Sequence, residues 1–347
     1  MKETDHKKII LIWLFTGCFL VASMVIVGGI TRLTQSGLSI VNWRPIMGSL
    51  PPLNEQQWNE TFELYKQSPQ YQKVNYHYGL EEFKSIFWWE YIHRLLGRII
   101  GLVFLIPFVF FLMKKWVKGA LLKKLIIIFL LGAFQGVLGW LMVESGLVDR
   151  PSVSHYRLAA HLITALFLYS YIFWVALGII QPQKRKQNNL LSKFNSYSIV
   201  LLCILVLQII YGAFVAGLKA GFILNTYPLM ADHLVHPSIG VALSESGVAA
   251  LFDHLVTVQF LHRTIALILV LFGIYTWWIF RKHLQVSSIK KSLNLMILAF
   301  FIQFLLGVFT LIFVVPVWLG VLHQFGAIAL LTILIYQIHT TKYSQTE

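Results

Sequence analysis

Eight apolar runs decide what this chain can become. They lie at about 9–29, 86–113, 121–143, 155–180, 197–217, 254–280, 290–314 and 317–340, and each is close to the roughly 20 residues that a bilayer-crossing helix requires. Hydrocarbon offers the backbone no hydrogen-bond partner, so runs of this kind fold as helices that pair their own N–H and C=O groups. With 57% hydrophobic and 12% charged residues and a mean hydropathy of +0.71, the 347-residue chain is excluded from the water-soluble globules. The expectation is an all-α integral membrane protein.

The formal charge of +14 would suggest a nucleic-acid partner if it formed one patch. It is sorted by loop instead. Lys2, Lys7, Lys8, the cluster Lys114, Lys115, Lys118, Lys123 and Lys124, then Lys184, Arg185, Lys186, Lys193, Arg281, Lys282, Lys290, Lys291 and Lys342 fall on one side. Glu55, Glu60, Glu63, Glu81, Glu82, Asp149, Asp232 and Asp253 fall in the opposite loops. The positive-inside rule makes the basic side cytoplasmic and puts both termini there. The expected surroundings are therefore membrane lipid and no nucleic acid. MKETDHKK leaves no room for an organelle transit peptide, and the first run reads as a retained anchor. Cys18 and Cys203 fall inside the first and fifth runs, so the exported loops hold no cysteine for a disulfide.

The two long exported loops follow runs 1 and 5. In the first, Asn54 can cap a short helix carrying Trp58, Phe62 and Tyr65 on one face, which reads as an amphipathic lid on the membrane surface. The second, about 218–253, holds NTYPLMADHLVHP. This placement suggests a repeat of half the chain, and the membrane histidines carry one. His93 on run 2 matches His262 on run 6, each followed by an arginine (Arg94, Arg263), and His161 on run 4 matches His323 on run 8. Runs 3, 5 and 7 share Gln-x-x-x-Gly: Gln135 with Gly139, Gln208 with Gly212, Gln303 with Gly307. The expected architecture is eight transmembrane helices as two pseudo-symmetric parallel four-helix bundles, residues 1–185 and 186–347. The parity disfavours an inverted-repeat transporter.

An ionisable or ligating side chain in lipid needs a partner or a task. All four histidines sit on inward-running helices, about 9 to 12 Å below the outer end at about 1.5 Å per residue. Paired imidazoles from facing helices are the usual axial ligands of a haem iron. The residue four positions on is small each time (Gly97, Ala165, Ala266, Ala327), leaving room for a flat macrocycle. Close helix packing, lone core histidines and a proton relay are the alternatives. Glu90 lies one turn before His93, whereas Gln259 holds that place before His262. Glu90 reads as a general base or cation stabiliser, or as an ion-pair partner of Arg94 or Arg98. Arg94, Arg98, Arg157 and Arg263 are candidates to receive haem propionates, with snorkelling surface arginines as the plain alternative. Asp232, His233 and His236 lack a further ligand, so no metal ion is expected there.

With these residues in place, the chain resembles the heme A synthase family, in the branch shared by mitochondria and many bacteria. The resemblance runs through GGITRLTQSGLS from Gly28, the WRP segment, FKSIFWWEYIHRLLGRIIG from Phe83, QGVLGWLMVESGL from Gln135, YRLAAHL from Tyr156, NTYPLM from Asn225, VQFLHR from Val258 and LHQFGAIALL from Leu322. The cysteine pair of another bacterial branch is absent from the first exported loop, so no thiol chemistry carries over. The resemblance implies oxidation of the C8 methyl of heme O to the formyl group of heme A, with water as oxygen source, in a bacterial inner membrane. It implies a resident heme b on His262 and His323, beside which Arg263 is the propionate candidate already read from the residues. It implies a substrate haem on His93 and His161 with Glu90 catalytic, and Arg94, Arg98 and Arg157 remain the propionate candidates read from the residues. Heme O synthase and an electron acceptor are the candidate partners, and a homo-oligomer a candidate assembly. The alternative is a di-haem b cytochrome that only transfers electrons.

Overall fold

The apolar runs fold as eight long helices in the computed structural model, which describes residues 3–41, 50–147, 153–186 and 188–344. Lys2, Trp43 with the rest of the WRP segment, and Asp149 lie outside the described residues. In chain order the α-helices are α1 (Glu3–Leu33), α2 (Glu55–Lys66), α3 (Pro69–Lys73), α4 (Leu80–Met113), α5 (Gly119–Leu147) and α6 (His155–Ile180). They continue as α7 (Asn189–Gly217), α8 (Ser238–Ser246), α9 (Ala250–Asp253), α10 (Leu255–Phe280), α11 (Ser287–Ile312) and α12 (Val317–Lys342). The only strands among the described residues are β1 (Gln183–Lys184) and β2 (Tyr343–Ser344), paired antiparallel. The chain is thus an all-α protein with eight helices long and apolar enough to span a membrane.

Helices α1, α4 and α7 begin well before their apolar runs. The first turns of α4 read LEEFKS, too polar to count as lipid-facing, yet Glu82 caps the helix by accepting from the Gly79 N–H at 3.0 Å. These turns stand under the lid. The Asn54 side chain accepts from Gln57 N at 2.9 Å and starts α2 as its sequence implies. Ser68 does the same for α3, where Pro69 takes the first helical position. Phe62 and Tyr65 of α2 then bury against Phe83, Ile86, Phe87 and Tyr91 of α4. Trp58 sets its edge on Phe87 at 5.0 Å between ring centroids. Burial pushes the Tyr65 phenol up to about 12, and its oxygen accepts from Asn75 Nδ2 at 2.9 Å. Helix α7 likewise starts at Asn189, with Asn188 as its cap.

Backbone packing divides the chain into residues 19–165 and a second unit made of residues 1–18 with 166–347; the divisions fall inside α1 and α6. The second unit is built on α7, α10, α11 and α12, with α7 lying against α10 and α12, and α11 against α12 and α10. In the same unit Tyr169 of α6 hydrogen-bonds Thr332 of α12, and His339 pairs with Gln181.

Candidate functional site

Each of the four membrane histidines leans on a glycine of another helix. A Cβ added at Gly28 would come within 3.0 Å of His93 Cε1, and at Gly139 within 3.5 Å of His161 Cε1. At Gly212 it would come within 3.2 Å of His262 Cε1, and at Gly307 within 2.8 Å of His323 Cε1. At Gly307 a side chain would force the imidazole to shift and at Gly28 and Gly212 it would be tight, whereas at Gly139 it would make ordinary contact. The glutamine one turn before the glycine meets the same ring in three cases. Gln208 Nε2 lies 3.1 Å from His262 Nδ1 and 3.2 Å from its Nε2. Gln303 Nε2 donates to the His323 carbonyl at 2.8 Å and lies 3.2 Å from Nδ1. Gln135, with its amide turned to satisfy both ends, puts its nitrogen 3.2 Å from His161 Nδ1 and accepts from Thr164 Oγ1 at 2.7 Å. One turn before Gly28 the residue is Met24, and among the described residues buried His93 Nδ1 has no hydrogen-bond partner.

Two imidazoles sharing one iron have a fixed spacing. About 2 Å from metal to nitrogen, and about 1 Å further to each ring centre, set the centroids about 6 Å apart. The His262 and His323 rings stand 6.4 Å apart at 77°. The donor set, the spacing and the close glycines all fit an axially held haem. His93 and His161 share the unit of residues 19–165 and lie within electrostatic reach of each other. His161, His262 and His323 sit six, seven and six residues past the starts of their helices, and His93 thirteen, because α4 begins two turns further out under the lid. The room expected at Gly97 is partly taken, since a Cβ there would lie 3.3 Å from Met24 Cε.

Glu90 is 3% exposed and both of its oxygens are engaged. Oε1 receives Arg94 Nε at 3.0 Å and Nη2 at 2.5 Å; Oε2 receives Ser39 Oγ at 2.7 Å and the Ile40 N–H at 2.9 Å. Among the described residues the ion pair of Glu90 is with Arg94, and Arg94 Nη2 also donates to the Ile40 carbonyl at 3.0 Å. The counterpart Gln259 takes the opposite polarity: its Nε2 donates to the carbonyls of Ala220 at 2.7 Å and Ile223 at 2.6 Å. Arg263 donates to Gln259 Oε1 and to the carbonyls of Leu224, Thr226 and Leu229, tying the NTYPLM loop to α10. Arg157 is exposed and donates through Nη1 to the Leu141 carbonyl, while Arg98 is half-buried one turn past Arg94. In the second exported loop His236 Nδ1 pairs with Ser238 Oγ at 2.8 Å.

The sequence singles out the four histidines, Glu90 and the glutamine motif as candidates. It misses Ser39 and Ile40, which reach Glu90 from about fifty positions away, and it misses the face that Gly28 offers to His93. The only signal for Gly28 is its place in GGITRLTQSG, where it stands where the other odd spans carry the glycine of their motif.

The family model for cytochrome oxidase assembly proteins, COX15-CtaA, matches residues 11–335. A heme A synthase of Flavobacterium psychrophilum is 47% identical over 96% of this chain and 98% of its own. One of Nitrosospira multiformis is 47% identical over 98% of this chain and 97% of its own, and one of Parvibaculum lavamentivorans 44% identical over 98% and 96%. Similarity of this extent makes the chain a member of the COX15-CtaA family of cytochrome oxidase assembly proteins.

Proposed function

We infer that this chain is a heme A synthase, an oxidoreductase of the bacterial membrane that converts heme O to heme A. The structural observation that carries the reading is the facing pair His262 and His323, 6.4 Å apart inside an apolar helix bundle. The net change is a methyl group plus water giving a formyl group, four protons and four electrons. A membrane cytochrome limited to electron transfer is not favoured, because the relatives at 44 to 47% identity are synthases.

In this reading residues 186–347 hold a resident heme b through His262 and His323, and residues 1–185 hold the substrate through His93 and His161. The recurring glycine beside each histidine supports two pseudo-symmetric halves. Heme b supplies one-electron redox chemistry when bound. The halves take different roles because only the first has a carboxylate a turn from its ligand. A carboxylate offers about four acceptor sites, and Glu90 has a donor at each. That saturation favours stabilising positive charge that develops on the substrate over accepting a proton, since a proton would have to displace a donor already in place. Among the arginines, Arg157 keeps most of its donors for a propionate, whereas Arg94 and Arg263 are largely engaged. An electron acceptor and the heme O synthase are the partners this role requires. The lysine-rich loops support cytoplasmic termini.

The test is expression with a heme O synthase in cells that make no heme A, followed by extraction and chromatography of the haems. Heme A is the expected product; heme O alone would reject the reading.

A further inference from the structure

The four histidines are not held alike. His161 and His323 each meet a glutamine amide at Nδ1 and His262 meets one within reach of both ring nitrogens, whereas among the described residues the buried Nδ1 of His93 has no partner and Met24 stands where the glutamine would be. An imidazole that gives Nε2 to a metal carries its proton on Nδ1, and that proton needs an acceptor. Glutamine suits both states of the ring. Its nitrogen donates to a bare Nδ1, and half a turn of the amide brings its oxygen round to accept from Nδ1–H. Among the described residues the buried oxygens of Gln208 and Gln303 have no donor, although at Gln303 the turn gives up the bond to the His323 carbonyl. Aspartate or glutamate would accept equally well but would add a charge in lipid.

We propose that Gln208, Gln303 and Gln135 are positioning residues that receive the Nδ1 hydrogen bond of the axial histidines, and that His93, lacking such a partner, is the ligand on which the substrate haem is exchanged. The proposal rests on the assignment of haem to these histidines. A hydrogen-bonded imidazole is the stronger electron donor and holds its ring plane; a bare one binds more loosely. Tight holding suits a group that stays. Three held ligands and one loose one suit a protein that keeps one haem and passes another through.

The experiment is a redox titration of the low-spin haem in the purified full-length protein. Gln208→Leu and Gln303→Leu should move its midpoint to more positive potential, and Gln208→Glu, which restores an acceptor, should return the midpoint to the wild-type value or below. An unchanged midpoint in both leucine variants overturns the proposal. Where leucine strips the haem altogether, Gln208→Glu decides: a haem retained at or below the wild-type midpoint supports the acceptor role, and a midpoint above the wild-type value overturns it. Met24→Gln tests the other half. It should raise severalfold the amount of heme O or heme A that stays bound through purification relative to heme b, and leave the low-spin spectrum intact. An unchanged ratio overturns the role given to His93. Should the wild type make no heme A, the inferred function fails, while the titration still decides the glutamines.

Discussion

Glu90 and Gln259 occupy matching places, yet their neighbours make them poor substitutes for one another. Gln259 gives its N–H groups to two loop carbonyls, whereas Glu90 faces a loop N–H and a hydroxyl. In Glu90→Gln the amide oxygen can stay with Arg94 and the Ser39 hydroxyl can turn to accept, but the Ile40 N–H is left facing another donor. Leaving one buried donor unpaired costs about 1 to 3 kcal/mol, which a protein of this size tolerates. Loss of a group acting in the transition state costs about two to four orders of magnitude in rate. The Glu90→Gln protein should therefore accumulate with its low-spin haem spectrum and yield heme O or a hydroxylated haem in place of heme A. Near-normal heme A would make Glu90 a tether for the Ser39–Ile40 turn and nothing more. His262→Ala and His323→Ala should each abolish the low-spin spectrum, and its survival in both would reject the assigned pair. The place of Glu90 on the His93 face was legible because i and i+3 share a helix face. Its pairing with Arg94, one turn on, was legible too, but Ser39 and Ile40 were not, since only the folded return of the first loop brings residues 39 and 40 to it.

The lid separates local signals from tertiary ones. Helix α2 was legible because Asn54 is a good cap and Trp58, Phe62 and Tyr65 fall four and then three residues apart. Helix α3, five residues long, is too short to show a period. The extra turns of α4 were hidden by their polarity, and what they bury becomes visible only with α2 laid across them. The two kinds of signal predict different damage. Removing the Asn54 cap by Asn54→Ala costs about 1 kcal/mol, so amide exchange should quicken in the first turn of α2 and nowhere else. Phe83 is fully buried beneath the lid, and Phe83→Ala removes about 3 to 5 kcal/mol of packing. Exchange should then quicken across α2, α3 and the outer turns of α4 together. Equal, local effects from both variants would mean that the lid does not fold as one piece.

Over the whole molecule, the eight spans were written in the sequence because hydropathy acts on one helix at a time. The boundaries of the two packing units were not, because they cross α1 and α6 where the helices run on without a break. Orientation has its own check. Reporter fusions at Lys118, between α4 and α5, and at Gln67, at the end of α2, should report opposite compartments. A shared compartment would contradict the basic-side assignment. One small feature sets a clock on assembly. The ribbon joins β1 in the middle of the chain to β2 beyond α12, and Arg185 adds bonds to the carbonyls of Thr340 and Lys342. A ribosome adding about 5 to 20 residues per second makes the second strand roughly 10 to 30 s after the first, about 160 residues later. For that interval the segment around Lys184 waits unpaired, and its closure marks the moment at which the last helix has been delivered.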